Sequence, residues 1–236
     1  MLLIPTSAWA HAAGTLTAWM AGALSFWWQY RVEPQTGRND SRLRPESSYY
    51  QTLALGALLG AWLVGTVNTM PMGLAPAHSV AGALVGGIIS VEVWKWRHGI
   101  RGSTGSSFVL PLTVGIMVGR IGCLFSGLAD FTYGVPSQVP WAVDLGDGIG
   151  RHPVQAYESL AMALFLMVWL PARHRQMRWA THKAFYAFVI FYFLQRFAWE
   201  FLKPYPKFIG PFNVFQPISL GMIVYGIICW RQSGTT

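Results

Sequence analysis

A chain of 236 residues that is 53% hydrophobic and only 11% charged is not composed like a soluble domain, which carries about 25% charged residues. Its net charge of +8 invites a nucleic-acid reading, but the basic residues fall in loops between long apolar runs, and that placement excludes nucleic acid as the partner. What remains is an all-α polytopic membrane protein, a seven-transmembrane-helix bundle forming a single domain over residues 1–236.

The opening MLLIPTSAWA has no basic n-region and only a short apolar stretch, so the mature chain is expected to start at Met1. Crossing a bilayer takes about 20 apolar residues. The first such run covers residues 11–30, followed by a polar, Pro- and Gly-punctuated loop over 31–48. The second covers 49–70, where Gly56, Gly60 and Gly65 keep one face smooth for close helix packing. A Pro/Gly turn leads to the third at 77–96, and the fourth begins at Phe108. An external segment over 124–152 contains Asp144 and Asp147 in a turn-forming context. The fifth run covers 153–170, opening on Pro153, a residue suited to a first helical turn. The sixth covers 184–202 and the seventh 214–230.

The loops at 31–48, 95–101 and 171–183, with the tail, hold twelve of the seventeen Lys and Arg residues. The opposite side holds Arg151, Lys203 and Lys207, and Arg120 and Arg196 are left inside apolar runs. The positive-inside rule then puts the C-terminus in the cytoplasm, the 31–48 loop with it, and the N-terminus outside. No internal repeat is visible, which argues against a secondary transporter.

Charges within apolar runs are costly, about 2.5–3.5 kcal/mol on insertion scales, and point to function. Arg120 sits among Gly119, Gly122 and Gly127, and its planar fork suits a phosphate. Arg196 and Glu200, four apart, share one helix face; they either form a mutual salt bridge or meet an anionic headgroup. In Arg151-His152-Pro153-Val154-Gln155-Ala156-Tyr157-Glu158, the Gln155, Tyr157 and Glu158 side chains would reach inward from the start of the fifth run. Arg151 and Tyr157 also suit the membrane interface. His78 opens the third run and is a candidate proton acceptor. Cys123 and Cys229 both lie in apolar runs and suggest no disulfide framework. No His/Cys/Asp cluster has metal-ligand spacing, so no metal and no cofactor are expected.

Three of these motifs together resemble prolipoprotein diacylglyceryl transferase: Gly119-Arg120-Ile121-Gly122 with Ser126-Gly127, the run from Arg151 to Glu158, and Arg196-Phe197-Ala198-Trp199-Glu200-Phe201. Their order and spacing agree with the family from about Ala75 to Trp230, and His78 falls where the family has its HGG histidine. The resemblance implies a seven-helix enzyme of the bacterial inner (plasma) membrane with its active site towards the periplasm. Such an enzyme moves a diacylglyceryl group from phosphatidylglycerol, a membrane lipid, to an acceptor cysteine thiol, releasing glycerol phosphate. Carried over, Arg120 and Arg196 bind the phosphate, Glu200 organises the site and His78 is the candidate base. Gly119, Gly122, Ser126, Arg151, His152, Gln155, Tyr157 and Glu158 line the site, with Asp130 substituting for a lost carboxylate. The family pattern GRxGNFxNGE is altered here, with Cys123 and Ser126 at the asparagine positions and Leu128 at the glutamate. Those changes leave the acceptor open: a lipobox cysteine, another protein or a small molecule. The alternative is a non-catalytic membrane protein that binds or moves phospholipid.

Overall fold

The computed structural model describes residues 2–32, 46–74, 76–208 and 210–233. Most of the expected 31–48 loop, including Arg38, Arg42 and Arg44, lies outside the described residues.

Among the described residues the body of the molecule is helical. The long helices are α1 (Ala8–Val32), α2 (Ser47–Thr69), α3 (Val80–Arg97), α4 (Val109–Ser126), α5 (Val154–His174), α7 (Ala184–Trp199) and α8 (Phe215–Gln232). A single short turn of helix, α6 (Arg178–Thr181), links α5 to α7. Four stretches are long and apolar enough by composition alone to cross a membrane: Ser47–Met72, Ser106–Asp130, Val154–His174 and Ala184–Leu202. The outer surface carries Trp19, Leu58, Leu63, Met167 and Ile228 exposed. In water such a surface would aggregate; it fits a lipid solvent. This is a helical membrane protein.

Two antiparallel helix pairs are set by glycine. A Cβ on Gly60 would stand 2.3 Å from the Gly82 carbonyl oxygen, so α2 and α3 touch backbone to backbone. Likewise a Cβ on Gly14 would meet the Gly122 Cα at 2.5 Å, which joins α1 to α4. Small residues permit this approach, which maximises dispersion contacts where lipid supplies no hydrophobic drive. The remaining core is aromatic and aliphatic, with Trp169, Phe188, Phe193 and Met162 fully enclosed. The Trp169 indole N–H donates to the Ala180 carbonyl at 3.1 Å, fixing α6 under α5.

The chain adds one feature to the all-α expectation. Three two-residue strands, β1 (Leu2–Leu3), β2 (Val143–Asp144) and β3 (Gly150–Arg151), make a small sheet in that order. β1 runs parallel to β2, with Leu2 opposite Val143, and β2 runs antiparallel to β3, with Val143 opposite Arg151. The sheet shares its end of the bundle with the C-terminus of α4 and the N-termini of α1 and α5. The basic residues Arg31, Arg97, Arg173, Lys183 and Arg231 stand at the other end, in last turns or at a helix start.

Candidate functional site

The site is built around one carboxylate. Glu158 lies one turn into α5, on the face that also carries Gln155, Ser159 and Met162. Ser159 donates to the Met117 carbonyl at 2.9 Å and so registers α5 against α4. That register brings Arg120 Nε to 2.7 Å from Glu158 Oε2. From α7, Arg196 Nη1 donates to Glu158 Oε1 at 2.8 Å. Lys203 Nζ, just past the 3-10 turn that ends α7, donates to the same oxygen at 2.8 Å.

A second carboxylate extends the cluster. Arg196 Nε lies 2.8 Å from Glu200 Oε1, the i,i+4 pair that one helix face allows. Lys203 Nζ reaches that oxygen at 3.3 Å, and Asn213 Nδ2 donates to Glu200 Oε2 at 2.8 Å. Asn213 is itself held: its Oδ1 accepts from the Phe215 N–H, and its own N–H donates to Gln216 Oε1, both at 2.9 Å. The Arg196 guanidinium rests 4.6 Å over the Phe215 ring. All five charged side chains are buried, Glu200 completely. In direct contact three cations face two carboxylates, and the Asp130 carboxylate lies beside Arg120. Two guanidiniums meeting at one carboxylate away from water can also take a phosphate.

Polar atoms without partners surround this cluster among the described residues. On α7, Tyr192, Gln195, Arg196, Trp199 and Glu200 recur at spacings of three and four and so share a face. Tyr192 OH, Gln195 Oε1 and Trp199 Nε1 have no hydrogen-bond partner there. Both amide atoms of Gln155 and Nε2 of Gln216 also lack one, although both residues are 0% exposed. Most buried polar side-chain atoms in native proteins are satisfied, so a concentration of orphans calls for an explanation. A polar ligand would satisfy them.

The structure gathers Arg120, Arg196, Glu200, Glu158 and Gln155 in one place. Lys203, Asn213 and Gln216 join them and were not singled out in the sequence. Other expected residues lie around the cluster. Gly119 and Gly122 face α1, where a Cβ on each would meet Ala18 and Gly14 respectively. Ser126 Oγ donates to the Gly122 carbonyl of its own helix at 2.8 Å. Arg151 is held by Asp147 through two bonds of 2.6 Å and lies over the Tyr133 ring. Those bonds lower the Asp147 carboxyl below its ordinary range. Asp144 Oδ1 accepts from the backbone N–H groups of Gly146, Asp147 and Gly148, a turn stabilised by its own side chain. Tyr157 OH accepts from Trp141 Nε1 at 2.6 Å and meets His152 Nδ1 at 3.3 Å, while its ring packs 5.2 Å from Trp199. His78 is exposed beside the start of α3, at this end of the bundle, and shares no hydrogen bond or ion pair with the cluster.

Asp130 lies beside Arg120 in a different arrangement. Its Oδ1 is 3.0 Å from His11 Nδ1 on α1, and Thr132 donates to its other oxygen. One donor atom each of His11, Cys123 and Asp130 lies within 4.8 Å of the others. Sequence spacing does not show it, because His11 arrives from another helix. An apolar groove of about 610 Å³ between α5, α7 and α8, rimmed by Trp230 and Arg231, opens towards the basic end, away from the ionic cluster.

The family model for prolipoprotein diacylglyceryl transferase matches residues 49–231. The phosphatidylglycerol–prolipoprotein diacylglyceryl transferase of Solidesulfovibrio magneticus is 31% identical over 241 residues, covering 92% of this chain and 85% of that protein. The protein of the same name from Cupriavidus metallidurans is 28% identical over 250 residues, covering 92% of this chain and 89% of its own. That from Cupriavidus pinatubonensis is 33% identical over 162 residues, 61% of this chain and 55% of its own. No solved structure matches. With the family model spanning most of its length, the chain belongs to the prolipoprotein diacylglyceryl transferase family.

Proposed function

We propose that the chain is a membrane transferase that moves a diacylglyceryl group from phosphatidylglycerol to a prolipoprotein thiol, with glycerol phosphate as the leaving group. One observation carries the reading: Arg120 and Arg196 come from separate helices and converge on Glu158 within a buried cluster of three cations and two carboxylates. A phosphodiester carries one negative charge and suits paired guanidiniums. The orphaned amides and hydroxyl at Gln155, Tyr192, Gln195 and Gln216 offer donors and acceptors for the glycerol hydroxyls of the headgroup.

The chemistry follows from that placement. Attack at the glycerol carbon next to the phosphate ester breaks the carbon–oxygen bond, and its electron pair goes to the phosphate. Two guanidiniums in a water-poor site stabilise that developing charge, the kind of term that usually dominates catalysis. Glu158 holds both arginines, while Glu200 and Lys203 fix Arg196 from its other side. His78, the candidate base of the family resemblance, stands at the same end of the bundle but shares no hydrogen bond or ion pair with the cluster.

The finer topology belongs to the same proposal. The seven long helices are the membrane spans. The basic end faces the cytoplasm, and the ionic cluster sits towards the periplasmic side of a bacterial inner membrane. Purified protein with phosphatidylglycerol and a lipobox peptide is expected to release glycerol phosphate and to lipidate the peptide. The gene is expected to restore growth to a strain lacking this transferase. Binding of phosphatidylglycerol without glycerol phosphate release would instead make the chain a lipid-binding protein. Release with a non-peptide acceptor alone would reassign the acceptor.

A further inference from the structure

His11 and Asp130 come from distant parts of the chain and meet beside Cys123, which neighbours Arg120. Asp130, in the 3-10 turn that follows α4, has a side chain only 7% exposed, whereas the His11 side chain is 58% exposed. The carboxylate is thus buried behind the imidazole, and the imidazole presents its other edge outward. Asp130 is fixed in turn by the Thr132 hydroxyl. Cys123 links the pair to the phosphate end: its Sγ belongs to the same 4.8 Å grouping and lies 3.9 Å from Arg120 Nη1. A buried acid behind an accessible imidazole, one side chain away from a phosphate-binding guanidinium, is the geometry of an oriented base.

We propose that His11, oriented by Asp130, takes the proton from the acceptor thiol, an inference that rests on the transferase reading above. In the step, the thiol S–H bond breaks and its proton passes to the outer ring nitrogen of His11. A sulfur–carbon bond forms at the glycerol carbon, and the carbon–oxygen bond to the phosphate breaks. The electron pair leaves on glycerol phosphate beside Arg120, and His11 returns its proton to solvent. Sulfur must approach within about 3–3.5 Å of that carbon, and the carbon is two bonds from phosphorus. The base therefore has to stand near the phosphate site, and His11 is one side chain, Cys123, away from Arg120. Asp130 is a positioning residue: it keeps the ring turned and the outer nitrogen free to accept.

The test uses full-length protein in phosphatidylglycerol-containing micelles with a lipobox peptide, read by glycerol phosphate release and by melting temperature. His11→Gln keeps an amide donor for Asp130 but cannot take a proton. It is expected to melt with wild type, keep the KM for phosphatidylglycerol and lose roughly 10²–10⁴-fold in kcat. His11→Ala is expected to lose the same activity and to recover part of it with added imidazole. Asp130→Asn lowers kcat by a smaller factor. A His11→Gln protein with full turnover overturns the assignment, as does a His11→Ala protein that imidazole fails to rescue. Rescue seen with His78→Ala and not with His11→Ala moves the base to His78. A wild-type chain that releases no glycerol phosphate overturns the transferase reading and this inference together.

Discussion

Two carboxylates of this bundle collect cations, and they do so differently. At the basic end, Glu92 Oε1 accepts from Lys95 Nζ at 2.8 Å and from Tyr225 OH at 2.7 Å. One acid meets one base and one hydroxyl, the charges balance, and the Glu92 side chain remains 38% exposed. At the other end, Glu158 is 1% exposed and takes Arg120, Arg196 and Lys203, with Glu200 sharing the load and orphaned polar atoms around it. A balanced, half-wet pair is a brace between α3 and α8. A buried cluster of three cations on two carboxylates, ringed by orphaned polar atoms, is more than a brace needs. In a membrane protein the arithmetic of buried charge therefore separates scaffold from site more sharply than the presence of charge does.

The comparison can be broken most directly at its centre. Glu158→Ala strips Arg120 of its carboxylate and leaves Arg196 and Lys203 with Glu200 alone; removing one partner of a buried pair costs about 3–5 kcal/mol, so the melting temperature in detergent is expected to collapse along with turnover. Arg120→Ala and Arg196→Ala come next. Each removes a stabilising donor from the leaving phosphate and is expected to lower kcat by about 10²–10³-fold, measured as glycerol phosphate release. Gln155→Leu sharpens the contrast because its two effects have opposite signs. Taking away an unsatisfied buried amide is expected to hold or raise lipid-free stability by about 1 kcal/mol, while weakening phosphatidylglycerol binding. If both fall together, Gln155 is structural. Glu92→Gln, at the braced end, is expected to cost about 0.5–1.5 kcal/mol and to leave turnover unchanged. The smallest effect concerns Asp147. Arg151 holds its carboxyl below the ordinary range, so its contribution is present at neutral pH and is lost as pH falls through that lowered value. Hydrogen exchange of residues 146–151 is expected to rise only in that acidic window.

The helices were legible because lipid imposes a coarse rule on sequence: long apolar runs with charges at their ends. Arg120, Arg196, Glu200 and Glu158 were legible for the converse reason, being charges where the rule forbids them. Lys203 escaped because it follows the apolar run and precedes Pro204, so that it reads as a loop lysine. Only the 3-10 turn at Glu200–Leu202 folds it back under Glu158. Asn213 and Gln216 flank the start of α8, where polar residues are unremarkable. The strands were invisible because two residues are too few to show an alternating pattern. The glycines of α2 read correctly as close-packing positions, but the sequence could not say that Gly119 and Gly122 pack against α1. His11 carried no signal at all: its meaning depends on Asp130, brought alongside by the antiparallel contact between α1 and α4.

The small sheet ties Leu2 to Val143. During synthesis the leading strand emerges long before its mate exists. With about 5–20 residues added per second, on the order of ten seconds separate the two. Throughout that interval helices α1 to α4 emerge between them. Pairing of Leu2 with Val143 is thus a late event of assembly, and Leu2→Pro, which removes the N–H that donates to the Ala142 carbonyl, is expected to weaken it.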